Sequence, residues 1–148
     1  MERIDPQTAK RVWQRVQGED VSVRPMLSAE RRCLADFQQL QRLLAEKNRQ
    51  LRLLASHCQQ RIRCLMGIDS LLTGTSMPDV PLNPRQETPQ GLLRHCYQQS
   101  VNLAGEYQRR GEHPEYGPVY LELAKQMRQQ CIQILELIAT AEMKKSTR

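Results

Sequence analysis

Glu30 has the strongest claim to chemistry in this sequence. It falls on a helical stripe that otherwise reads Leu27, Leu34, Phe37, Gln41 and Leu44. A carboxylate turned toward a core needs a cation, a metal ion or hydrogen-bond donors to be tolerated there. Carboxylates and imidazoles that converge inside a helical core can hold hard metal ions, and i, i+3 pairs serve because they share one helix face. The three histidines, His57, His95 and His113, share no motif, and His113 before Pro114 reads as the cap of a turn. Cys33, Cys58, Cys64, Cys96 and Cys131 form no C-x-x-C pair. Their odd number argues against a zinc ribbon or a secreted disulfide framework, and free, partly buried thiols are the simpler reading. No phosphate-binding glycine loop, nucleophile elbow or Ser/His/Asp arrangement is present.

The elements that must position these groups read as helices throughout, with no run of alternating β-branched residues. Residues 1–25 should form a short opening helix, started by Asp5-Pro6 and edged by Val12, Trp13 and Val16, then a linker bracketed by Gly18 and Pro25. Ser28 should cap the first long helix, reaching about residue 46. A polar turn at Lys47, Asn48 and Arg49 separates it from the second, at 50–72, although a continuous helix is the alternative there. The second helix should turn Leu51, Leu54, Cys58, Ile62, Leu65 and Leu72 inward, and Thr73-Gly74 should end it. Four prolines, Pro78, Pro81, Pro84 and Pro89, predict a long extended crossover. Thr88-Pro89 then starts a third helix that buries Leu93, Cys96, Ser100, Leu103, Ala104 and Tyr107. The fourth uses Tyr120, Leu123, Ala124, Met127, Cys131, Ile134 and Ile138, and 144–148 form a basic, frayed tail.

The stretch 92–138, LLRHCYQQSVNLAGEYQRRGEHPEYGPVYLELAKQMRQQCIQILELI, resembles the second helix pair of a ferritin-like, rubrerythrin-type four-helix bundle. Two short-linked hairpins joined by one long connection fit that topology, and the resemblance covers about 27–138. In the family, two helices each supply an inward Glu and the other two each supply a Glu-x-x-His pair. Glu30 followed seven residues later by Phe37 is similar to the family's Glu-x6-Tyr spacing. The matching pair in the third helix is Ser100 and Tyr107, where the tyrosine stays and the carboxylate is gone. In the fourth helix, Leu123-Ala124 anchor a likeness to LA-x-x-E-x-x-H that puts Met127 and Gln130 at the ligand positions. In the second, the LLTG ending at Gly74 puts Cys58 and Arg61 there, with His57 one residue off and rotated about 100° away.

The resemblance thus implies an antiparallel bundle over 26–143 whose di-iron ligand positions, Glu30, Cys58, Arg61, Ser100, Met127 and Gln130, retain one ligand of six. Such a set has too little charge for two iron ions, and Arg61 would repel them. Either Glu30 is partly solvated near a helix start, favoured by the macrodipole, or it pairs with Arg61 in place of metal. The expectation is a metal-free, cofactor-free protein that is not an enzyme, acting as a structural or protein-interaction module with a protein partner or a second copy of itself. The alternatives are a di-iron protein in iron or peroxide handling, a soft-metal thiolate site built from Cys33, Cys58 and Cys131, and a basic nucleic-acid binder.

Composition bears on the last of these. The net charge is +6, with 26% charged and only 4% aromatic residues, so few aromatics are available for bases to stack on. Arg31, Arg32, Arg42, Arg49, Arg52, Arg61, Arg63, Arg109 and Arg110 are spread over several faces and read as a solvated surface rather than a nucleic-acid footprint. One domain without a membrane span is expected, in the cytoplasm because no secretory signal opens the chain.

Overall fold

The structure, a computed structural model, describes residues 22–44 and 48–146. The opening helix expected before residue 18 lies outside the described residues, as do Val12, Trp13 and Val16. Among the described residues there are four α-helices, a single 3-10 turn and no strand. Within these described residues no helix is long and apolar enough to cross a membrane.

Helix α1 spans Arg24–Leu43. It starts four residues before the expected cap, because Pro25 belongs to its first turn. A proline there loses no hydrogen bond and presets φ for the helix, so the residue read as a linker marker is a helix starter. Ser28 is therefore an exposed residue inside α1. Leu44 and Asn48 are both extended, which excludes a continuous helix into α2, Arg49–Thr73. The Asn48 side chain caps α2 by accepting from the Leu51 amide at 3.1 Å. Gly74 closes it at φ 71°, the left-handed conformation that glycine adopts without strain.

Helix α3, Pro89–Arg109, starts where the sequence indicates: Thr88 Oγ1 accepts from Gly91 N at 3.0 Å, and proline sits in the first turn. A 3-10 turn at Arg110–Glu112 leads to His113, whose Nδ1 accepts from the amides of Glu115 and Tyr116. That is the capping role its sequence position suggests. Helix α4 then runs Gly117–Ser146, which takes in the first three residues of the expected tail, while 147–148 lie outside the described residues. Gly117 is required by close approach, since a Cβ there would run into the Gly111 carbonyl oxygen.

Side chains tie each helix to two neighbours. Arg24 reaches Asp69 and Cys58 reaches Glu30, joining α1 to α2. Cys33 reaches Gln99 and Tyr107 reaches Glu30, joining α1 to α3. Arg128 reaches Gln108 between α4 and α3, and Gln50 reaches Gln133 and Glu136 between α2 and α4. The α2–α4 pair packs least closely of these.

The core face of α1 differs from the expected stripe. Met26, Leu27, Glu30, Cys33, Phe37 and Leu40 are buried, whereas Leu34, Gln41 and Leu44 are only partly covered. Both stripes step by three and four; the observed seam, through Met26, Glu30, Cys33, Phe37 and Leu40, is rotated by about one residue from the expected one. Leu72, Ala104, Cys131 and Ile138 are likewise only half-buried.

Asp36 and Gln39 are buried for another reason: the crossover lies over them. Gln39 Nε2 donates to the Arg85 carbonyl at 2.7 Å, and the Arg85 amide donates back to Gln39 Oε1 at 3.0 Å. Asp36 is fully buried between Arg32 at 3.0 Å and Arg85 at 3.3 Å. Arg31 donates to the carbonyls of Met77 and Pro78, and Arg32 donates to that of Asn83. A proline-rich segment has carbonyls with no ladder partner, and arginine's fork of donors supplies one. Reading these arginines as a purely solvated face is therefore incorrect.

Candidate functional site: a buried polar network

The six positions singled out from sequence are all buried, and five of them meet. Glu30 Oε2 accepts from Arg61 Nε at 2.7 Å and from the Tyr107 hydroxyl at 2.9 Å. Arg61 Nη2 donates to Gln130 Oε1 at 2.5 Å. Gln130 Nε2 donates to Ser100 Oγ at 2.8 Å, and that hydroxyl donates to the Cys96 carbonyl at 2.6 Å. Cys58 Sγ lies 3.2 Å from the Glu30 carbonyl oxygen and 3.6 Å from Oε1. The chain of contacts draws one or more residues from every helix. Met127 is fully buried and apolar, filling core without joining the polar chain.

Local sequence places each member. Glu30 shares the buried seam of α1 with Cys33 and Phe37. Cys58 and Arg61 stand one helical turn apart on α2, as Met127 and Gln130 do on α4 and Ser100 and Leu103 do on α3. The i, i+3 spacing that would aim two metal ligands at one point here aims a thiol and a guanidinium at a carboxylate.

Electrostatics closes the network further. Burial disfavours the Arg61 cation, but the adjacent Glu30 carboxylate outweighs it, and the guanidinium is held above its ordinary value. The Tyr107 hydroxyl is pushed far up, first by burial and then by Glu30. Cys58 is raised by burial and by Glu30, and Cys33 by burial and by the neighbouring Cys58 and Cys96. These thiols stay protonated and are poor metal ligands or nucleophiles. The thiols that neighbour Cys33 are Cys58 and Cys96, while the expected third member, Cys131, is half-buried. Among the described residues no three His, Cys, Asp or Glu side chains converge as metal donors.

Chemically, the site is a closed ion pair. An approaching cation would meet a carboxylate oxygen already engaged twice and a fixed positive charge beside it. Ser100 has no base within hydrogen-bond reach: its partners are an amide and a carbonyl. His57 is exposed, His95 makes an exposed contact with Glu87, and His113 caps a turn. The macrodipole account of Glu30 as a partly solvated residue fails, since Glu30 is fully buried.

Sequence reasoning missed two features. The Tyr107 hydroxyl is a second donor to Glu30, a role that neither its inward position on the third helix nor the family likeness indicates. The Arg32–Asp36–Arg85 cluster was overlooked, although the i, i+4 spacing of Arg32 and Asp36 was a legible signal. Of the arginines named above, Arg31, Arg32, Arg61, Arg109 and Arg110 are engaged with carbonyls or carboxylates. Compared with family models, curated proteins and solved structures, the chain finds no match.

Proposed function

We propose that this chain is a ferritin-like, rubrerythrin-type antiparallel four-helix bundle in which a buried ion pair stands where the family holds di-iron. In this reading it acts without catalysis or cofactor, as a structural or protein-interaction module that binds a protein partner or a second copy of itself.

The order of cross-helix contacts supports the antiparallel arrangement. The start of α1 meets the end of α2 through Arg24 and Asp69. Glu30 meets Tyr107 near the end of α3, while the later Cys33 meets the earlier Gln99. Gln50, at the start of α2, meets Gln133 and Glu136 toward the far end of α4. The long segment between α2 and α3 matches the single crossover of that topology.

The observation that carries the functional half is the double engagement of Glu30 Oε2 by Arg61 and Tyr107. The one surviving family ligand is thereby committed to protein groups, and its charge is balanced without metal. Purified protein given ferrous iron and either oxygen or peroxide is expected to oxidise iron no faster than buffer does. Accelerated, saturable oxidation would instead establish the iron-handling alternative. No observation favours a nucleic-acid partner over this reading.

A further inference from the structure

Large apolar side chains stay exposed together at one level of the bundle: Ile132 (58%), Leu135 (46%), Val101 (40%) and Leu53 (47%). Contacts between the helices place them side by side. Arg128 donates to Gln108, and seven residues onward along α4 and seven back along α3 bring Leu135 level with Val101. Gln50 reaches Gln133 and Glu136, which sets Leu53, one turn further along α2, level with Ile132. Apolar residues scattered singly over a surface are ordinary. A group spread over three adjacent helices and rimmed by polar side chains marks a contact surface.

The charges on α4 indicate what covers it. Arg128 and Glu136 stand four residues before and after Ile132, each about 40° to one side of it around the helix. Arg128 donates to the Gln108 amide oxygen at 3.1 Å, and Glu136 accepts from the Gln50 amide at 3.4 Å. Both partners are neutral, so neither charge meets a counter-charge among the described residues. Opposite charges placed evenly about one apolar residue are self-complementary under a two-fold axis. An antiparallel crossing of α4 on the same helix of a second copy brings Arg128 of each level with Glu136 of the other. A parallel crossing would set like charge against like, which opposes association.

We propose that this face docks a second copy of the chain, in a two-fold dimer whose α4 helices cross antiparallel at Ile132. Ile132 and Leu135 form its dehydrated centre, and Val101 and Leu53 extend it over the flanking helices. The two Arg128–Glu136 pairs lie on the rim and fix direction more than affinity. A surface confined to the middle of three helices is small for a permanent dimer, so association in the micromolar range is expected. This dimer rests on the reading of the chain as an interaction module, and it makes the partner another copy.

Sedimentation velocity of the intact chain, from micromolar to millimolar concentration, tests the dimer. The unaltered chain is expected to pass from monomer to dimer over that range. Ile132→Glu changes a side chain that is mostly in solvent, so it should keep the chain monomeric while leaving the melting temperature of dilute protein in place. Arg128→Glu and Glu136→Arg should each weaken the dimer about tenfold, because each reversal acts twice across the axis. Both reversals in one chain should restore association to within about threefold of the original. A dimer undiminished in folded Ile132→Glu, or a double reversal weaker than either single one, would overturn this two-fold contact. A dimer of the expected kind that also loads iron would overturn the proposed function alone. A metal-free chain that stays monomeric at millimolar concentration would overturn the dimer alone and leave a different protein as the partner.

Discussion

Glu30→Gln and Arg61→Met are each expected to destabilise the bundle by about 3–5 kcal/mol, and the double variant by less than their sum. Each single change leaves one charged or strongly polar partner in a place built for two. Without Glu30, Arg61 remains a buried cation that cannot shed its proton. Without Arg61, Glu30 keeps only the Tyr107 hydroxyl and the Cys58 thiol. In the double variant a neutral amide faces Tyr107 and a methionine fills the guanidinium's volume, so no charge is left uncompensated. Urea unfolding of the four proteins measures the coupling directly. A coupling of roughly 1–3 kcal/mol is expected for groups in contact. If the double variant loses as much as the two singles added together, the ion pair does not organise the core.

Stability is also expected to fall steeply as pH rises above about 9, under reducing conditions that keep the thiols free. Cys33 and Cys58 are held above the ordinary thiol value of 9.0 by burial, and Cys96 is raised by burial and then by Asp36. Tyr107 is held above the ordinary phenol value of 10.0 by burial and then by Glu30. In each case the folded state keeps a proton that the unfolded chain releases. The unfolded chain then binds fewer protons, so stability is whole below the unfolded values and drains away as pH climbs past them. Each such proton contributes a slope of about 1.4 kcal/mol per pH unit once the unfolded group is ionised. Thermal melts between pH 7 and 10.5 should therefore show a flat region and then a sharp decline. Cys58→Ala together with Cys96→Ala should shallow that decline, even if both lower the starting stability. A melting temperature unchanged through pH 10 would contradict the burial of these groups.

Much of the helical framework could be read from the chain because its signals are local. Asn48, Thr88-Pro89 and Gly74 act within one helical turn, and each does what its type and position imply. The exception is instructive, since Pro25 was equally local but ambiguous: proline marks both linkers and first turns. Long-range packing was harder. Asp36 and Gln39 look like ordinary surface residues of α1 until the crossover is laid over them, and nothing within α1 announces that Arg85 will return there. The same holds for the arginines, whose partners are backbone carbonyls far along the chain.

The central site was legible to the extent that helical spacing fixes a face. Spacing alone sets Glu30 and Ser100 on core faces, whereas the inward stripes of the second and fourth helices run through Cys58 and Ile62 and through Met127 and Cys131, so that Arg61 and Gln130 are marked by the family likeness and not by periodicity. What spacing alone could not supply was the hydrogen-bond order: which oxygen of Glu30 takes Arg61, and that Tyr107 shares it. Nor could it show that Ser100 turns back onto the Cys96 carbonyl and accepts from Gln130. These choices depend on side-chain geometry across helices.

The most direct test of the account is the metal content of the protein after expression and purification with iron or manganese supplied in excess, measured by plasma mass spectrometry. A buried carboxylate already balanced by Arg61 predicts background metal, unchanged by Glu30→Gln. About two metal ions per chain, lost in Glu30→Gln, would show that the Glu30 position still serves a dinuclear centre and would contradict the account.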